Sequence, residues 1–502
     1  TQDQGSCIGL NLIYSGNHYE AVEAGMCDST RIVAGINPQS FSYILDAGET
    51  FEAPEVVMTY SDKGFNAMSR NMHDFVRKHI VRGQWQYKER PVLLNSWEAA
   101  YFDISERKLY ELARAGHDVG IELFVMDDGW FGNRDDDSSS LGDWYVNKKK
   151  LPNGLKGICD KINALGMSFG IWVEPEMLNV NSDLYRLHPD WAMDIPGCAH
   201  SEGRNQRILD LCNPEVTEYI IDSMTKVFSS ANIAYVKWDM NRIFSDYYSK
   251  YLKAQGRPQG ETAHRYVMAL GRVMRTLTER FPHILFEGCA AGGNRFDLGI
   301  LCYFPQIWAS DNTDAVSRAY IQEGLSYGYP MSTVSAHVSV CPNHQTLRVT
   351  PLSTRFNVAA FGICGYECNL VDMSRAERSE IKTQIDIYKK WRHAMQFGSF
   401  YRQRTGNIHQ WTVVDEEAGR AVGLIMQELV RANTQNEEYY AAGLDPEAVY
   451  SFYNRPLKHN VKEFGDLINT VAPIHIRQGS LLHGTVSYTH LRAHETELIS
   501  YA

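Results

Sequence analysis

A chain of 502 residues is too long for one ordinary domain and leaves room for two to four, one of which could be an α/β barrel of roughly 250 residues. Hydrophobic residues at 44% and charged residues at 22% place it among globular proteins, and a formal net charge of −11 argues against nucleic acid as a partner, because phosphate binding needs a basic surface. Ten cysteines without a C-x-x-C pair exclude a zinc ribbon or a disulfide framework and fit a reducing, cytoplasmic setting, where thiols act as small hydrophobes.

The N-terminal run TQDQGSCIGLNLIYSG has no basic segment followed by an apolar one, so no signal peptide is visible, although the chain does not begin with Met. Residues 1–85 read as β structure, with IGLNLIYSG, TRIVAGI, FSYILDAG and EVVMTYS separated by turn residues, followed by a helix over 71–81 with Met72, Phe75 and Val76 on one face. From residue 91 the rhythm changes to short apolar strands, each followed by a helical segment. The expected strands are PVLLNSW (91–97), IELFVMDD (121–128), SFGIWVEPE (168–176), RILDLCN (207–213), IAYVKWDMN (233–241), HILFEGCAA (283–291), QIWASDN (306–312) and PMSTVSAHVS (330–339). Eight strand–helix alternations predict a (β/α)8 TIM barrel, an α/β architecture, over 86–395. The alternative, a doubly wound open sheet, is weakened because no G-x-G-x-x-G follows the first strand. The stretch FNVAAFGICGYECNLV (356–371) is the most apolar one, but it is short and carries Glu367, so no membrane partner is expected.

Residues 375–397 predict one more helix, and NIHQWTVVDEEAGRAVGLIMQE (407–428) reads as strand, turn, strand, opening a small antiparallel β domain over 396–485. The run 486–502 breaks the alternation and resembles translated adapter sequence, so it is read as a non-native tail. Its His490 and His494, four residues apart, are accordingly not taken as a metal site.

In such a barrel the active site lies at the C-terminal ends of the strands. The polar residues there are Trp97, Asp127, Asp128, Trp172, Glu174, Glu176, Asp210, Lys237, Asp239, Glu287, Cys289, Asp311, Asp314 and His337. One such Asp would be an ordinary helix cap or loop ion pair. Six of eight expected strands ending in a carboxylate is more acid than a structural rim needs. Carboxylates among aromatics, without a phosphate loop, point to glycoside hydrolysis, which uses one carboxylate as nucleophile or base and another as acid. There is no H-E-x-x-H, and His337 and His344 lack nearby His partners, so neither metal nor cofactor is expected. Asp239 follows the fifth expected strand, and Lys237, two positions earlier, shares its face, where an ammonium favours the ionised carboxylate that a nucleophile must be. Asp311, after the seventh, is the expected acid, with its proton retained by the neighbouring Asp239 charge. Asp314 is the rival, better suited to capping the next helix.

Six runs in order, NSWEA (95–99), MDDGWFG (126–132), GIWVEPEM (170–177), KWDMNR (237–242), EGCAAGG (287–293) and WASDNTDA (308–315), resemble glycoside hydrolase family 36, the bacterial alpha-galactosidases or melibiases. INPQSFSYILDAGETFEAPEVVMTYSD (36–62) resembles the segment before the family's barrel. The resemblance implies a retaining double displacement with Asp239 as nucleophile and Asp311 as acid/base. It implies that Asp127 and Asp128 bind the 4- and 6-hydroxyls of galactose, where a carboxylate pair left unpaired by the wrong epimer rejects glucose. Trp97 and Trp172 would wall the pocket; Arg204, Lys237 and Asn241 would hold hydroxyls near C2 and C3; Cys289 and Gly292 would lie near O2, with Trp238 and Met240 completing the binding run. The family carries a large N-terminal β-sandwich, of which residues 1–85 would be a remnant, and the C-terminal domain would be incomplete. The intact protein would be a homo-tetramer acting on alpha-galactoside oligosaccharides. The alternatives kept open are a raffinose-synthase-like transferase, an alpha-N-acetylgalactosaminidase and a sugar-binding fragment impaired in turnover.

Overall fold

The computed structural model describes residues 1–429, 437–454, 480–483, 488–491 and 497–501. Its N-terminal part has two antiparallel ribbons. β1 (Cys7–Leu12) pairs with β4 (Val56–Ser61), and β2 (His18–Ala24) pairs with β3 (Thr30–Ile36). The expected strand FSYILDAG is not one. Its Tyr43 packs edge-on against Phe51 and against His264 on the helix Thr262–Arg280, so this segment is held by aromatic contacts rather than by a ladder. The helix expected over 71–81 begins earlier, as Gly64–Phe75, and runs on into a wide turn at Val76–Ile80.

The barrel is closed and parallel. Its strands are β5 (Leu93–Asn95), β6 (Leu123–Met126), β7 (Ser168–Val173), β10 (Ile233–Trp238), β11 (Leu285–Gly288), β12 (Gln306–Trp308), β13 (Val334–Ser339) and β14 (Ile363–Glu367), in that cyclic order. Nearly every strand position is buried, as expected of strands covered on both faces. Alternation divides the side chains. Leu93, Leu123, Val125, Tyr235 and Leu285 form a cluster of their own inside the barrel. Neighbours such as Leu94, Phe124, Met126, Val236 and Phe286 join the large core under the helices. Gly170 admits the Tyr235 ring, which a Cβ there would meet at 2.8 Å. Helix starts follow from local chemistry. Ser105 accepts from Lys108 N, Asn213 caps a helix with Pro214 at its first position, and Ser374 forms a reciprocal box with Glu377.

One strand was misread from the sequence. RILDLCN (207–213) is not in the barrel. Only Gln206–Ile208 is strand (β9), and it pairs antiparallel with β8 (Met177–Asn179) in an excursion after β7. Asp210 then closes a turn instead of ending a barrel strand. Its carboxylate accepts from Ser249 Oγ at 2.7 Å and Cys212 N at 3.1 Å. The eighth strand is β14, taken from the apolar run 356–371, which splits into the helix Leu352–Ala359 and the fully buried ICGYE. A short apolar run carries no period that separates strand from buried helix. Asp239 therefore follows the fourth barrel strand, and Asp311 the sixth.

After the helix Arg375–Phe397 come β15 (Ser399–Thr405), β16 (Ile408–Asp415) and β17 (Arg420–Gln427), an antiparallel meander that packs on that helix, with Trp411 between Phe361 and Phe400. His494 lies outside the described residues. Among the described residues no helix is long and apolar enough to cross a membrane, and no group of three His, Cys, Asp or Glu could hold a metal ion.

Candidate active site

A cavity opens at the C-terminal ends of the barrel strands, and nine of the expected residues line it: Trp97, Asp127, Asp128, Trp172, Arg204, Lys237, Asp239, Asn241 and Asp311. Asp239 emerges directly from β10, its backbone N still bonded to Val173 O at 2.8 Å. Its carboxylate is held from several sides. Trp172 Nε1 and Asn241 Nδ2 donate to Oδ2 at 3.1 and 2.8 Å, and Met240 N donates to Oδ1 at 2.9 Å. Beneath Asn241 lies Glu174, fully buried, which accepts from Asn241 N at 2.5 Å and Gln206 Nε2 at 3.1 Å. Burial, and after it the Asp239 charge, pushes Glu174 up to about 8.

Asp311 faces this group from the loop after β12. Trp308 Nε1 donates to its Oδ1 at 2.9 Å, and Gln345 Nε2 donates to its carbonyl oxygen at 2.9 Å. Burial first, and the Asp239 carboxylate second, hold its carboxyl above the ordinary Asp value. Asp314, the rival acid, is spent on structure. It caps the helix Ala315–Leu325, accepting from Ser317 N at 3.0 Å, and pairs with Arg348.

The acidic pair of MDDGW is divided by its partners. Asp128 is gripped by Arg134, with both nitrogen–oxygen distances 2.7 Å. Asp127 accepts from Asn95 Nδ2 at 2.7 Å, from Asp128 N at 2.9 Å and from Lys237 Nζ at 3.3 Å. The sequence reading gave Lys237 to Asp239, but its bonded partner is Asp127. Burial opposes the ammonium, yet Asp127 and, less strongly, Cys289, Glu367 and Asp239 keep it well above the ordinary Lys value. Arg204 reaches the cavity from a left-handed backbone pair, with φ +54° at Arg204 and +56° at Asn205. Non-glycine residues hold that conformation only where surrounding structure enforces it.

Four expected residues do not line the cavity. Trp238 alternates with Lys237 along β10 and so points outward; it is fully buried, donates to Glu176 Oε1 at 2.9 Å and packs on Phe304. Met240 contributes its backbone N to Asp239, while its sulfur sits 3.3 Å from Arg295. Cys289 is buried beside Asp239. Burial and the adjacent Asp239 push its thiol well above the ordinary Cys value, so it stays protonated. Gly292 permits a close approach of two backbones. At φ +84° a Cβ there would lie 2.7 Å from Asp311 N and 2.9 Å from Ser310 Cα, so the glycine admits the backbone that carries Asp311.

Six further residues line the cavity that sequence reasoning left out: Glu98, Trp308, Thr313, His344, Gln345 and Glu367. Glu98, Trp308 and Thr313 stood within the quoted runs NSWEA and WASDNTDA, next to residues that were chosen. Glu367 belongs to the eighth strand that the sequence did not reveal; it pairs with His337 at 2.9 Å, and although burial raises its carboxyl, His337 together with Lys237 and Arg318 holds it below the ordinary Glu value. His344 and Gln345 sit in an irregular loop without periodic signal.

The chain matches the Melibiase family profile over residues 50–398 and that of the glycosyl hydrolase family 36 N-terminal domain over residues 1–46. It is 48% identical to Alpha-galactosidase AgaA of Geobacillus stearothermophilus over 89% of this chain and 62% of that protein. It is 46% identical to Alpha-galactosidase 1 of Pediococcus pentosaceus over 90% of this chain and 62% of that protein. The chain thus spans less than two thirds of the length of these relatives. The crystal structure of AgaA superposes with a TM-score of 0.91 at 42% identity, covering 100% of this chain and 67% of that one. A variant of AgaA in complex with raffinose superposes at 0.92, with the same identity and coverage. The matched profile takes in the whole barrel and every cavity residue named above, and the chain belongs to the Melibiase family, glycoside hydrolase family 36.

Proposed function

We propose that this chain is a retaining alpha-galactosidase that hydrolyses terminal α-D-galactosyl residues of oligosaccharides such as melibiose and raffinose. The observation that carries the reading is the pairing of two unlike carboxyls in one cavity. Asp239 accepts from three N–H groups that fix its orientation, whereas burial first and the Asp239 charge second raise the Asp311 carboxyl above the ordinary Asp value, the direction an acid needs. In the first step an Asp239 oxygen bonds to the anomeric carbon as the glycosidic bond breaks, and Asp311 passes its proton to the departing oxygen. In the second, Asp311 takes a proton from water, the water oxygen bonds to the anomeric carbon, and the bond to Asp239 breaks.

Asp127 and Asp128 receive the 4- and 6-hydroxyls in this reading, and Arg204, Lys237 and Asn241 the hydroxyls near C2 and C3, between walls formed by Trp97 and Trp172. Solved structures of AgaA variants hold raffinose and stachyose, which supports oligosaccharides as the substrate class. The same reading assigns 86–395 as the catalytic domain, flanked by 1–85 and 396–485. The test is incubation with p-nitrophenyl α-galactoside, with and without raffinose, following nitrophenol and the anomer of the first-formed galactose. Release of nitrophenol with α-galactose supports the reading. Release with galactose transferred to raffinose in place of water makes it a transferase, and no release from a folded sample overturns both.

A further inference from the structure

Glu98 lies beside Trp97 on the short helix Trp97–Ala100 after β5, and its side chain is only 1% exposed. A carboxyl so far removed from water has to be satisfied by the protein. Its partners come from distant loops. Oε1 accepts from Thr313 Oγ1 at 3.1 Å and stands 3.2 Å from His344 Nδ1; Oε2 accepts from Val340 N at 3.0 Å. Thr313 is two residues beyond Asp311, and Val340 and His344 follow β13. The same loops are joined again around this contact. Asn343 Nδ2 donates to Thr313 Oγ1 at 2.9 Å, and Gln345 Nε2 donates to the Asp311 carbonyl. Loops after the first, sixth and seventh barrel strands thus meet on one carboxyl group.

We infer that Glu98 is a positioning residue for Asp311, clamping the loop that carries the acid/base against the segment that carries the Trp97 wall. The inference rests on the reading of Asp311 as acid/base given above. It follows from bond geometry. Among the described residues the Asp311 carboxyl accepts one side-chain hydrogen bond, from Trp308, and the chain that bears it is anchored two residues later through Thr313 to Glu98. In Glu98→Gln one oxygen becomes an NH2 donor: facing Val340 it loses that N–H bond, and facing Thr313 and His344 it forces the hydroxyl to turn from donor to acceptor and removes the carboxylate from His344, so either orientation weakens the clamp at almost unchanged volume.

The test compares wild type with Glu98→Gln, Thr313→Val and the double variant on raffinose and on p-nitrophenyl α-galactoside. A displaced acid loses most where the leaving group needs a proton. The expected result is a kcat on raffinose lower by roughly 10- to 100-fold, a smaller loss on the nitrophenyl substrate and little change in KM. Thr313→Val should show the same split, and the double variant should add little to Glu98→Gln alone. Equal losses on both substrates overturn the inference, as does a KM rise with kcat kept, which would make Glu98 a sugar ligand. If Glu98→Gln does not fold, Thr313→Val alone decides by the same split. Asp311→Asn serves as the control: if it shows no preference for the activated substrate, the acid/base reading itself falls and the inference falls with it.

Discussion

Replacing Gly292 by Ala asks whether the position of Asp311 depends on a close approach of two backbones. The added Cβ would stand 2.7 Å from Asp311 N and 2.9 Å from Ser310 Cα, against contacts of about 3.5 Å at which attraction is greatest. Both opposing atoms are main chain, so no side chain can turn away, and the two loops must separate by about 0.7 Å. A misplacement of about 1 Å in a reacting constellation costs roughly 10²-fold. The expected loss in kcat/KM on raffinose is therefore roughly 10- to 100-fold, or about 1.4–2.8 kcal/mol of transition-state stabilisation. A second cost is independent of catalysis. The φ of +84° is strained for Ala by about 1–2 kcal/mol, which lowers Tm. Steady-state kinetics on raffinose and p-nitrophenyl α-galactoside, with thermal unfolding of the same samples, separates the two effects. A variant within about twofold of wild type on raffinose would show that the backbone contact at Gly292 does not govern the placement of Asp311.

Asp311→Asn should remove most activity on raffinose while sparing p-nitrophenyl α-galactoside, whose leaving group needs little protonation; comparable losses on the two would move the acid elsewhere. Glu174 makes a stability prediction. Its folded value, about 8, lies above the ordinary 4.5, so the folded state binds this proton more tightly than the unfolded chain. Its contribution is full below about pH 4.5 and is lost as pH rises towards and through about 8. Glu174→Gln should therefore gain stability relative to wild type across that window in denaturant unfolding, and parallel pH profiles would contradict the assignment. Lys237→Met should destabilise by roughly 3–5 kcal/mol, because it leaves the buried Asp127 without its cation. An unchanged unfolding midpoint would mean that Asp127 is satisfied by Asn95 and the Asp128 N–H alone.

Much of the site was legible because strand parity and strand ends are local properties. Asp239 and Lys237 share a face in IAYVKWDMN, and both do line the cavity. The same parity turns Trp238 away, and applying it consistently would have excluded that residue. The barrel was legible as a count of eight, but one strand was the wrong one. RILDLCN looked like a strand because it is apolar and carries Asp210, whereas ICGYE was masked by the helix that precedes it within one apolar run. That exchange concealed Glu367. What remained illegible was contact between loops. Nothing in NSWEA announces that Glu98 will meet Thr313 and Val340, more than two hundred positions away, and nothing in EGCAAGG tells a glycine that touches sugar from one that touches the Asp311 backbone.

Whether Asp239 is the nucleophile is decided by chemical rescue. Asp239→Gly removes the carboxylate and leaves a space beside the anomeric carbon, while Asp311 stays in place to assist departure. With azide and an activated α-galactoside, the account predicts that the lost activity returns in proportion to azide and that the product is β-galactosyl azide. A variant that keeps its fold but yields no azide adduct, or gives the α-adduct, would contradict it.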